Sequence, residues 1–275
     1  MDNRVLERIV IFILLLLDLV LLGIVLTDRA GARRSEKETA DRVTAVLRDN
    51  GVTVDKSVAP VQAPPPRCTL ERRNERELAI MKKLLGRNTA AEDMGGNILY
   101  FRSDLGQAVL RGSGETDVLL RLGTATLRGG PEKTCSRFLR RLRLTAEPWG
   151  SSGSPEEDGI DFLCRYGDYP VFNAVLHFDF SGDSIYMLTG TRIFDSLTEE
   201  DDSGLLDSVS ALLRFTELLQ SGEFSCTRLE SFRPGYLLSV PVSGESILTP
   251  VWRLETDCGV LQINAENGKI EIEAA

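Results

Sequence analysis

Histidine is almost absent from this chain, which contains only His177 among its 275 residues. Catalytic arrangements of the Ser-His-Asp and Cys-His types would both depend on this one side chain. Its neighbours alternate between apolar and other residues, so the pattern is typical of a strand histidine that faces water or a partner. The chain also lacks the G-x-S-x-G, Walker A, G-x-G-x-x-G and H-E-x-x-H motifs. We therefore expect a protein that is not an enzyme and binds no cofactor.

Cysteine is present but lacks the spacing of a metal or redox site. No two of the five cysteines form a C-x-x-C pair and no histidine lies near any of them, which argues against zinc and thioredoxin-like sites. The acidic run at residues 199–202 lacks the EF-hand spacing for calcium and is interpreted instead as a solvated loop before a helix. An odd number of thiols leaves at least one unpaired, so we expect mostly buried core cysteines, with one disulfide as an open alternative. The five are Cys68, Cys135, Cys164, Cys226 and Cys258.

Positive charge is outnumbered in the chain. The chain contains 32 Lys and Arg residues and 41 Asp and Glu residues, and its net charge is −9. Nucleic-acid binding needs clustered Lys and Arg to displace counterions, so this balance argues against a nucleic-acid partner. One predicted helix is rich in positive charge, in contrast to the chain as a whole. The basic residues on it or next to it are Lys133, Arg137, Arg140, Arg141 and Arg143. This helix is interpreted either as a solvated face or as a contact for anionic lipid head groups or an acidic partner patch.

One long apolar run, IVIFILLLLDLVLLGIVL, occupies residues 9–26. A helix of this length and hydrophobicity nearly crosses a bilayer core of about 30 Å, which predicts a transmembrane helix behind a cytoplasmic tail of residues 1–8. A cleaved signal peptide is the alternative, because Arg4 and Arg8 precede the run and an A-x-A pattern follows at residues 30–32. The run exceeds the usual apolar region of about 7 to 15 residues, which favours an uncleaved anchor. We expect a single-pass protein of the cell membrane with its C-terminal body outside the cytoplasm.

Asp18 interrupts this apolar run near its centre. A carboxylate in the middle of a bilayer costs about 2.5 to 3.5 kcal/mol, and such residues usually face another helix or a water-filled cavity. The alternative is a protonated Asp18 that the apolar neighbours make tolerable. We predict that Asp18, together with Leu14, Leu21 and Leu22, contacts the transmembrane helix of a partner.

The rest of the chain alternates helices and strands. Residues 27–66 are predicted to form a juxtamembrane helix at 33–49, standing on the membrane, and a proline-rich linker that separates this stalk from the body. Three α+β units are predicted to follow, at residues 67–130, 131–195 and 196–275. Their predicted helices cover residues 70–85, 134–144 and 204–219, and the predicted strands include 160–166, 227–232, 236–240 and 270–273. Because helices on one face of an antiparallel sheet are the stable solution for this order, the predicted fold class is α+β.

Two motifs resemble a known family. The C-terminal stretch contains Leu248-Thr249-Pro250-Val251-Trp252-Arg253-Leu254-Glu255-Thr256 and then Asn264-Ala265 before Asn267-Gly268. Upstream of it, the sequence reads Tyr166-Gly167-Asp168-Tyr169-Pro170-Val171-Phe172, and later Gly235-Tyr236-Leu237-Leu238. This pattern resembles the YycH/YycI family, specifically its YycI branch, and a related hairpin occurs in PepSY-like domains. The residues of the motif are interpreted as strand packing and turn residues and not as reactive groups.

The resemblance implies a function. Members of that family are accessory regulators of an essential WalK-type sensor histidine kinase, which controls cell-wall metabolism in low-GC Gram-positive bacteria, and they contact the kinase largely through transmembrane helices. The expected partners are therefore a sensor histidine kinase and, as a further option, a YycH-type protein in a heterodimer. The alternatives are a PepSY-like inhibitor or chaperone module for a secreted peptidase or wall hydrolase, and a structural protein of the cell envelope.

Overall fold

The computed structural model describes residues 38–59, 61–150, 159–193, 196–199, 204–240 and 245–273. These residues form an α+β fold with one large mixed sheet and four helices. The helices are α1 (residues 38–49), α2 (Asn74–Leu85), α3 (Pro131–Arg141) and α4 (Ser208–Ser221). The strands are β1 (Thr53–Val54), β2 (Cys68–Glu71), β3 (Ala90–Asp93), β4 (Ile98–Ser103), β5 (Gly106–Arg111), β6 (Glu115–Leu120), β7 (Ala146–Pro148), β8 (Ile160–Tyr166), β9 (Tyr169–Ser181), β10 (Ser184–Thr191), β11 (Ser196–Glu199), β12 (Arg228–Ser239), β13 (Ser246–Thr256), β14 (Gly259–Asn264) and β15 (Ile270–Glu273).

The predicted tail at residues 1–8 and the predicted membrane helix at residues 9–26 lie outside the described residues.

Among the residues that the structure describes, no helix is long and apolar enough to span a membrane.

The sheet has an N-terminal and a C-terminal section. The N-terminal section runs in the order β3-β4-β5-β6-β10-β9-β8-β7, with every neighbouring pair antiparallel. In the C-terminal section β13 is central and pairs with β12 along one edge. Its other edge pairs first with β2 and, further along the strand, with β14. The two sections meet where β12 lies parallel to β9, with Tyr236 opposite Val171. The sheet is therefore mixed, although nearly all of its pairs are antiparallel.

The first two predicted α+β units share the N-terminal section. Strand β6 of the first unit pairs with β10 of the second, for example Val118 with Leu188. Both of these side chains are buried, in the same core cluster as Met81 of α2 and Phe138 of α3. The strands of the two units thus pair at β6 and β10, so neither unit leaves that sheet edge exposed. Helices α2 and α3 pack on a common core, and the two units therefore form one continuous sheet and not two separate sheets.

Two stretches differ from the sequence prediction. The helix predicted from residue 70 begins only at Asn74, because Cys68 and Leu70 alternate inward in β2, which pairs with β13 and β11. The strands predicted at residues 227–232 and 236–240 form the single strand β12, which continues through Pro234 and Gly235. A side chain at Gly235 would meet the ring of Phe172 at 2.5 Å, so only glycine lets this ring lie over the strand.

All five cysteines are described, and each is a free thiol. Cys68, Cys135 and Cys164 are buried, as expected for small core residues, and the structure pairs no two cysteines in a disulfide. Burial raises the pKa of the Cys135 and Cys164 thiols to about 12. These two thiols stay protonated near neutral pH and are therefore poor nucleophiles.

Candidate functional site

The predicted partner-binding residues Leu14, Asp18, Leu21 and Leu22 all lie outside the described residues, so the structure does not place them. It does place helix α1, which follows them in the chain, and the body against which α1 packs. Two features of the described residues are candidates for function. They are the docked helix α1 and a group of arginine and aromatic side chains on the C-terminal section of the sheet.

Helix α1 is packed into a core and does not stand apart from the body. Val43 and Leu47 are 6% and 1% exposed, and they belong to the second core cluster of the molecule. Phe215 of α4 and Trp252 of β13 are buried in the same cluster. Val46, one residue before Leu47, lies at the edge of this apolar stripe and is 37% exposed. The helix therefore presents a narrow apolar stripe to the C-terminal section, as its 3.6-residue period requires.

Hydrogen bonds fix the end of α1 and the chain after it. The backbone N–H of Val52 donates to the carbonyl of Leu47 at 3.0 Å, and β1 then pairs in parallel with β12. Further along, the N–H of Gln62 donates to the Ser208 hydroxyl at 2.9 Å, and its side-chain amide donates to the Phe232 carbonyl at 3.1 Å. The proline-rich segment was predicted as a spacer between stalk and body. Gln62 in this segment is instead held against α4 and β12, because Ser208 and the Phe232 carbonyl accept hydrogen bonds from its backbone and side-chain amides.

Trp252 organises the core beneath α1. Its ring stacks on Phe232 with centroids 5.0 Å apart and an angle of 21° between the planes. Its indole Nε1–H donates to the carbonyl of Leu206 at 2.8 Å, which satisfies the one polar atom of a fully buried side chain. Asp207, next in the chain, caps α4 by accepting the Ser210 N–H at 2.7 Å. Helix α4 is thereby tied to β13, and α1 packs in the core that the two share.

The opposite face of β13 carries the arginine–aromatic cluster, which we define as Trp149, Phe172, Arg233, Arg253 and Glu255. Arg233 of β12 lies directly across from Arg253 of β13. The Arg253 guanidinium lies 5.2 Å from the Phe172 ring centroid and 5.7 Å from that of Trp149. The Arg233 guanidinium lies 5.7 Å from the Trp149 centroid and 6.0 Å from that of Phe172. Both cations are within the range of cation–π attraction to both rings.

Carboxylates hold the two arginines in place. Glu255 accepts hydrogen bonds from Arg233 at 3.1 Å and from Arg253 at 3.2 Å, and Glu273 accepts from Arg253 at 3.2 Å. The Arg253 side chain is 10% exposed, whereas that of Arg233 is 38% exposed. Directly opposed like charges destabilise a sheet unless they are compensated, and Glu255 supplies the compensation. Phe172 and Arg253 are nearly buried, so Arg233 and the half-buried Trp149 are the members of the cluster that a polypeptide could contact.

Sequence analysis missed this cluster, although part of its signal was there. In the stretch Val251 to Glu255, residues of odd number face the cluster and those of even number face the core, which is the period of two expected for a strand. This alternation distinguishes Arg253 and Glu255, which face the cluster, from the buried Trp252. Trp149 lies outside the named strands, and no local pattern indicates where it packs.

The one histidine lies on β9 between two carboxylates. Its Nδ1 is 2.6 Å from Oδ1 of Asp161, and its Nε2 is 3.3 Å from Oδ1 of Asp179. Partial burial of the ring favours its neutral form, but hydrogen bonds to the two aspartates and their charges outweigh this and raise the pKa of His177 above its ordinary value of 6.5. The side chain is 36% exposed, which agrees with the predicted strand histidine that faces water. Both ring nitrogens face carboxylates, an arrangement that stabilises imidazolium.

We expect this histidine to make the stability of the protein dependent on pH. Because the pKa is higher in the folded state, the stabilisation is fully present below pH 6.5 and is lost as pH rises through the folded-state value. The free energy of unfolding should fall by at most about 1 kcal/mol, since exposed pairs are screened by solvent. Urea denaturation of the full chain at acidic and alkaline pH measures this change. His177→Gln should abolish it, and an equal pH dependence in this variant would assign the effect to other groups.

No protein-family model matches the chain. No curated protein sequence matches it either. Solved structures with similarity include an uncharacterized protein from Eubacterium rectale ATCC 33656, with a TM-score of 0.46 and 10% identity over 80% of this chain and 89% of that one. Another is the C-terminal domain of Bacillus megaterium YpeB, with a TM-score of 0.37 and 10% identity over 75% of this chain and 100% of that one. Both TM-scores are below 0.5, so neither similarity carries an argument about function.

Proposed function

We propose that this chain is a membrane-anchored, non-catalytic accessory regulator of a sensor histidine kinase that controls cell-wall metabolism. In this proposal residues 9–26 contact the transmembrane helices of the kinase, and the described α+β body lies outside the cytoplasm. The YycI-like motifs support the choice of partner. The apolar run supports the proposed location in the cell membrane.

The docking of α1 is the structural observation that carries the proposal. Only residues 27–37 separate the apolar run from a helix whose Val43 and Leu47 are buried in the body. A freely hinged stalk would isolate the membrane segment from the body. A docked helix instead lets a change in the position of α4 or β13 reach the chain just before α1, because α1 shares their core.

Regulation also requires a difference in affinity between two states of the kinase. Transmembrane helices associate through close packing and through polar groups that find partners in the bilayer. Asp18 would supply such a polar group, since an unpaired carboxylate is costly at that depth. A kinase state that offers Asp18 a hydrogen-bond partner would then be favoured over one that does not.

Substitution of Asp18 tests the proposed contact. We expect Asp18→Leu to abolish crosslinking of the full chain to the kinase in native membranes, while leaving its amount in the membrane unchanged. Asp18→Asn is the matched control, because it keeps a hydrogen-bonding group and should retain most of the crosslinking. Identification of the crosslinked partner by mass spectrometry completes the measurement. The proposal fails if Asp18→Leu crosslinks to the kinase as strongly as the unaltered chain.

The arginine–aromatic cluster favours a second candidate, a PepSY-like inhibitor or chaperone module for a secreted peptidase or wall hydrolase. Its ordered cations and rings lie on the body, where a partner outside the membrane could bind them. Under this alternative, adding the purified chain should change the activity of such an enzyme. Arg233→Ala should weaken that effect, because Arg233 is the more exposed arginine of the cluster.

A further inference from the structure

A cavity of about 300 Å³ lies between one side of α3 and the segment that follows β6. Its walls include Thr124, Thr126 and Arg128 from that segment and Arg137, Phe138 and Arg141 from the helix. Phe138 is buried in the core, so it closes the floor of the cavity with an apolar surface. The helix side chains recur at intervals of three and four residues, so they project from the same side of α3.

The lining of the cavity is cationic. It contains three arginines and no carboxylate, in a chain whose net charge is −9. Lys133, Arg140 and Arg143 are exposed nearby on or just after α3 and add to the local positive potential. Among the described residues, Arg128 and Arg141 form no ion pair, so their guanidinium groups are not neutralised within this part of the protein.

Arg137 is held in place by its neighbours. Its Nε–H donates to the carbonyl of Lys133 at 3.2 Å, and its Nη2 donates to the Thr134 hydroxyl at 3.3 Å and to the carbonyl of Arg128. The Thr134 hydroxyl also accepts the N–H of Arg128 at 3.1 Å, which joins the helix to the opposite wall. These bonds occupy one edge of the Arg137 guanidinium and leave Nη1 without a partner among the described residues. One cation of the cavity is therefore positioned before any ligand arrives.

Nearby carboxylates are directed elsewhere. Asp183 accepts a hydrogen bond from the Ser184 hydroxyl at 3.1 Å, and its carbonyl accepts the N–H of Leu127. Glu132 is exposed in the first turn of α3 and does not line the cavity. Neither side chain neutralises the three arginines across the space that they enclose.

We propose that this cavity binds a phosphate-type oxyanion, either a free phosphate ester or the phosphodiester of an anionic lipid head group. Guanidinium groups form paired, charge-assisted hydrogen bonds with phosphate oxygens, and the hydroxyl of Thr126, which also lines the cavity, is a further donor. The volume is at the lower end of that of small-molecule sites, which suits a single phosphate ester. This inference is independent of the kinase proposal, since it rests on α3 and not on the membrane segment.

Isothermal titration of the full chain in a non-ionic maltoside detergent tests the inference. The probes are inorganic phosphate, glycerophosphoglycerol, and phosphatidylglycerol added as mixed micelles, with phosphatidylcholine micelles as the reference. Arg141→Gln removes a cation that lines the cavity. Arg140→Gln is the matched control, because Arg140 is exposed on the same helix, as Arg141 is, but does not line the cavity. Both variants remove one positive charge and keep a good helix former.

We expect at least one of these phosphate probes to bind, and Arg141→Gln to weaken its binding by about tenfold or more, as loss of a charge-assisted hydrogen bond requires. Arg140→Gln should change the affinity by no more than about twofold. Binding of glycerophosphoglycerol would identify a free ester as a sufficient ligand, and binding of phosphatidylglycerol micelles alone would identify the lipid. Equal losses in the two variants would show diffuse attraction to a basic helix and overturn the proposal. Absence of binding by all three probes would overturn it as well.

Discussion

Replacing Glu77 by alanine should lower the free energy of unfolding by about 3 to 5 kcal/mol, the cost expected when a buried ion pair loses one partner. Glu77 is 1% exposed and lies on α2, among the side chains of the N-terminal core. Arg72 donates to its two oxygens from Nε at 3.0 Å and from Nη2 at 2.8 Å. Arg192 binds it from the far end of β10, and the side chain of Arg192 is 3% exposed.

Arg192 also joins α2 to the turn between β5 and β6. Its Nη1 donates to the carbonyl of Gly114 at 2.9 Å, and the backbone N–H of Arg192 donates to the same oxygen at 2.9 Å. Without Glu77, the guanidinium of Arg192 would lose the carboxylate that it contacts on α2, although its side chain is 3% exposed. The removal of one partner from this buried ion pair, more than the loss of packing, accounts for the expected magnitude.

Denaturation of the full chain in urea measures the effect. Glu75→Gln is the matched control, because Glu75 is exposed in the first turn of the same helix and should change stability by no more than about 0.5 kcal/mol. The double variant Glu77→Leu with Arg192→Leu should recover part of the loss, since it removes both buried charges and leaves Arg72 able to reach water at 18% exposure. A loss below about 1 kcal/mol for Glu77→Ala would show that the ion pairs of Glu77 with the two arginines contribute little to stability.

Local elements of the fold could be predicted from the sequence because their signals are local. Strands β8 and β15 have the predicted bounds: β15 alternates Ile and Glu, and β8 is a short, mostly apolar run between Gly159 and Gly167. The Asn267-Gly268 turn is present, with Gly268 at φ +70° and its N–H donating to the Asn264 carbonyl at 2.8 Å. Such features depend on a few neighbouring residues, which is why propensity and period suffice for them.

Long-range pairing could not be predicted in the same way. Glu77 and Arg192 are 115 residues apart, and neither stands out among the charged residues around it. Strand β2 is four residues long and leads into a charged helix, so its pairing with β13 has no local signature. The candidate sites share this property, since the arginine–aromatic cluster joins the residue after β7 to strands β9, β12 and β13. Only the assembled sheet brings these side chains together.

Leu47→Ala should release α1 from the body and, under the proposed function, uncouple the body from the kinase. Leu47 is 1% exposed, and truncation of a buried leucine to alanine costs about 2 to 5 kcal/mol. Most of this loss should appear as local opening, because α1 contacts the core through a narrow stripe and its other face is exposed. Hydrogen exchange should therefore accelerate in residues 38–59 by at least about tenfold, while β13 and β14 stay protected.

This variant distinguishes binding of the chain to the kinase from regulation of the kinase by the body. Because Leu47→Ala leaves Asp18 and the rest of the apolar run unaltered, the variant should still crosslink to the kinase in membranes, but its effect on kinase autophosphorylation should be lost. Val46→Ala is the matched control, since Val46 is 37% exposed and its truncation should alter neither exchange nor regulation. If α1 opens in Leu47→Ala and kinase activity is still regulated as before, the docked helix does not transmit the signal. The membrane segment would then act without the body, and regulation would depend on Asp18 and its neighbours alone.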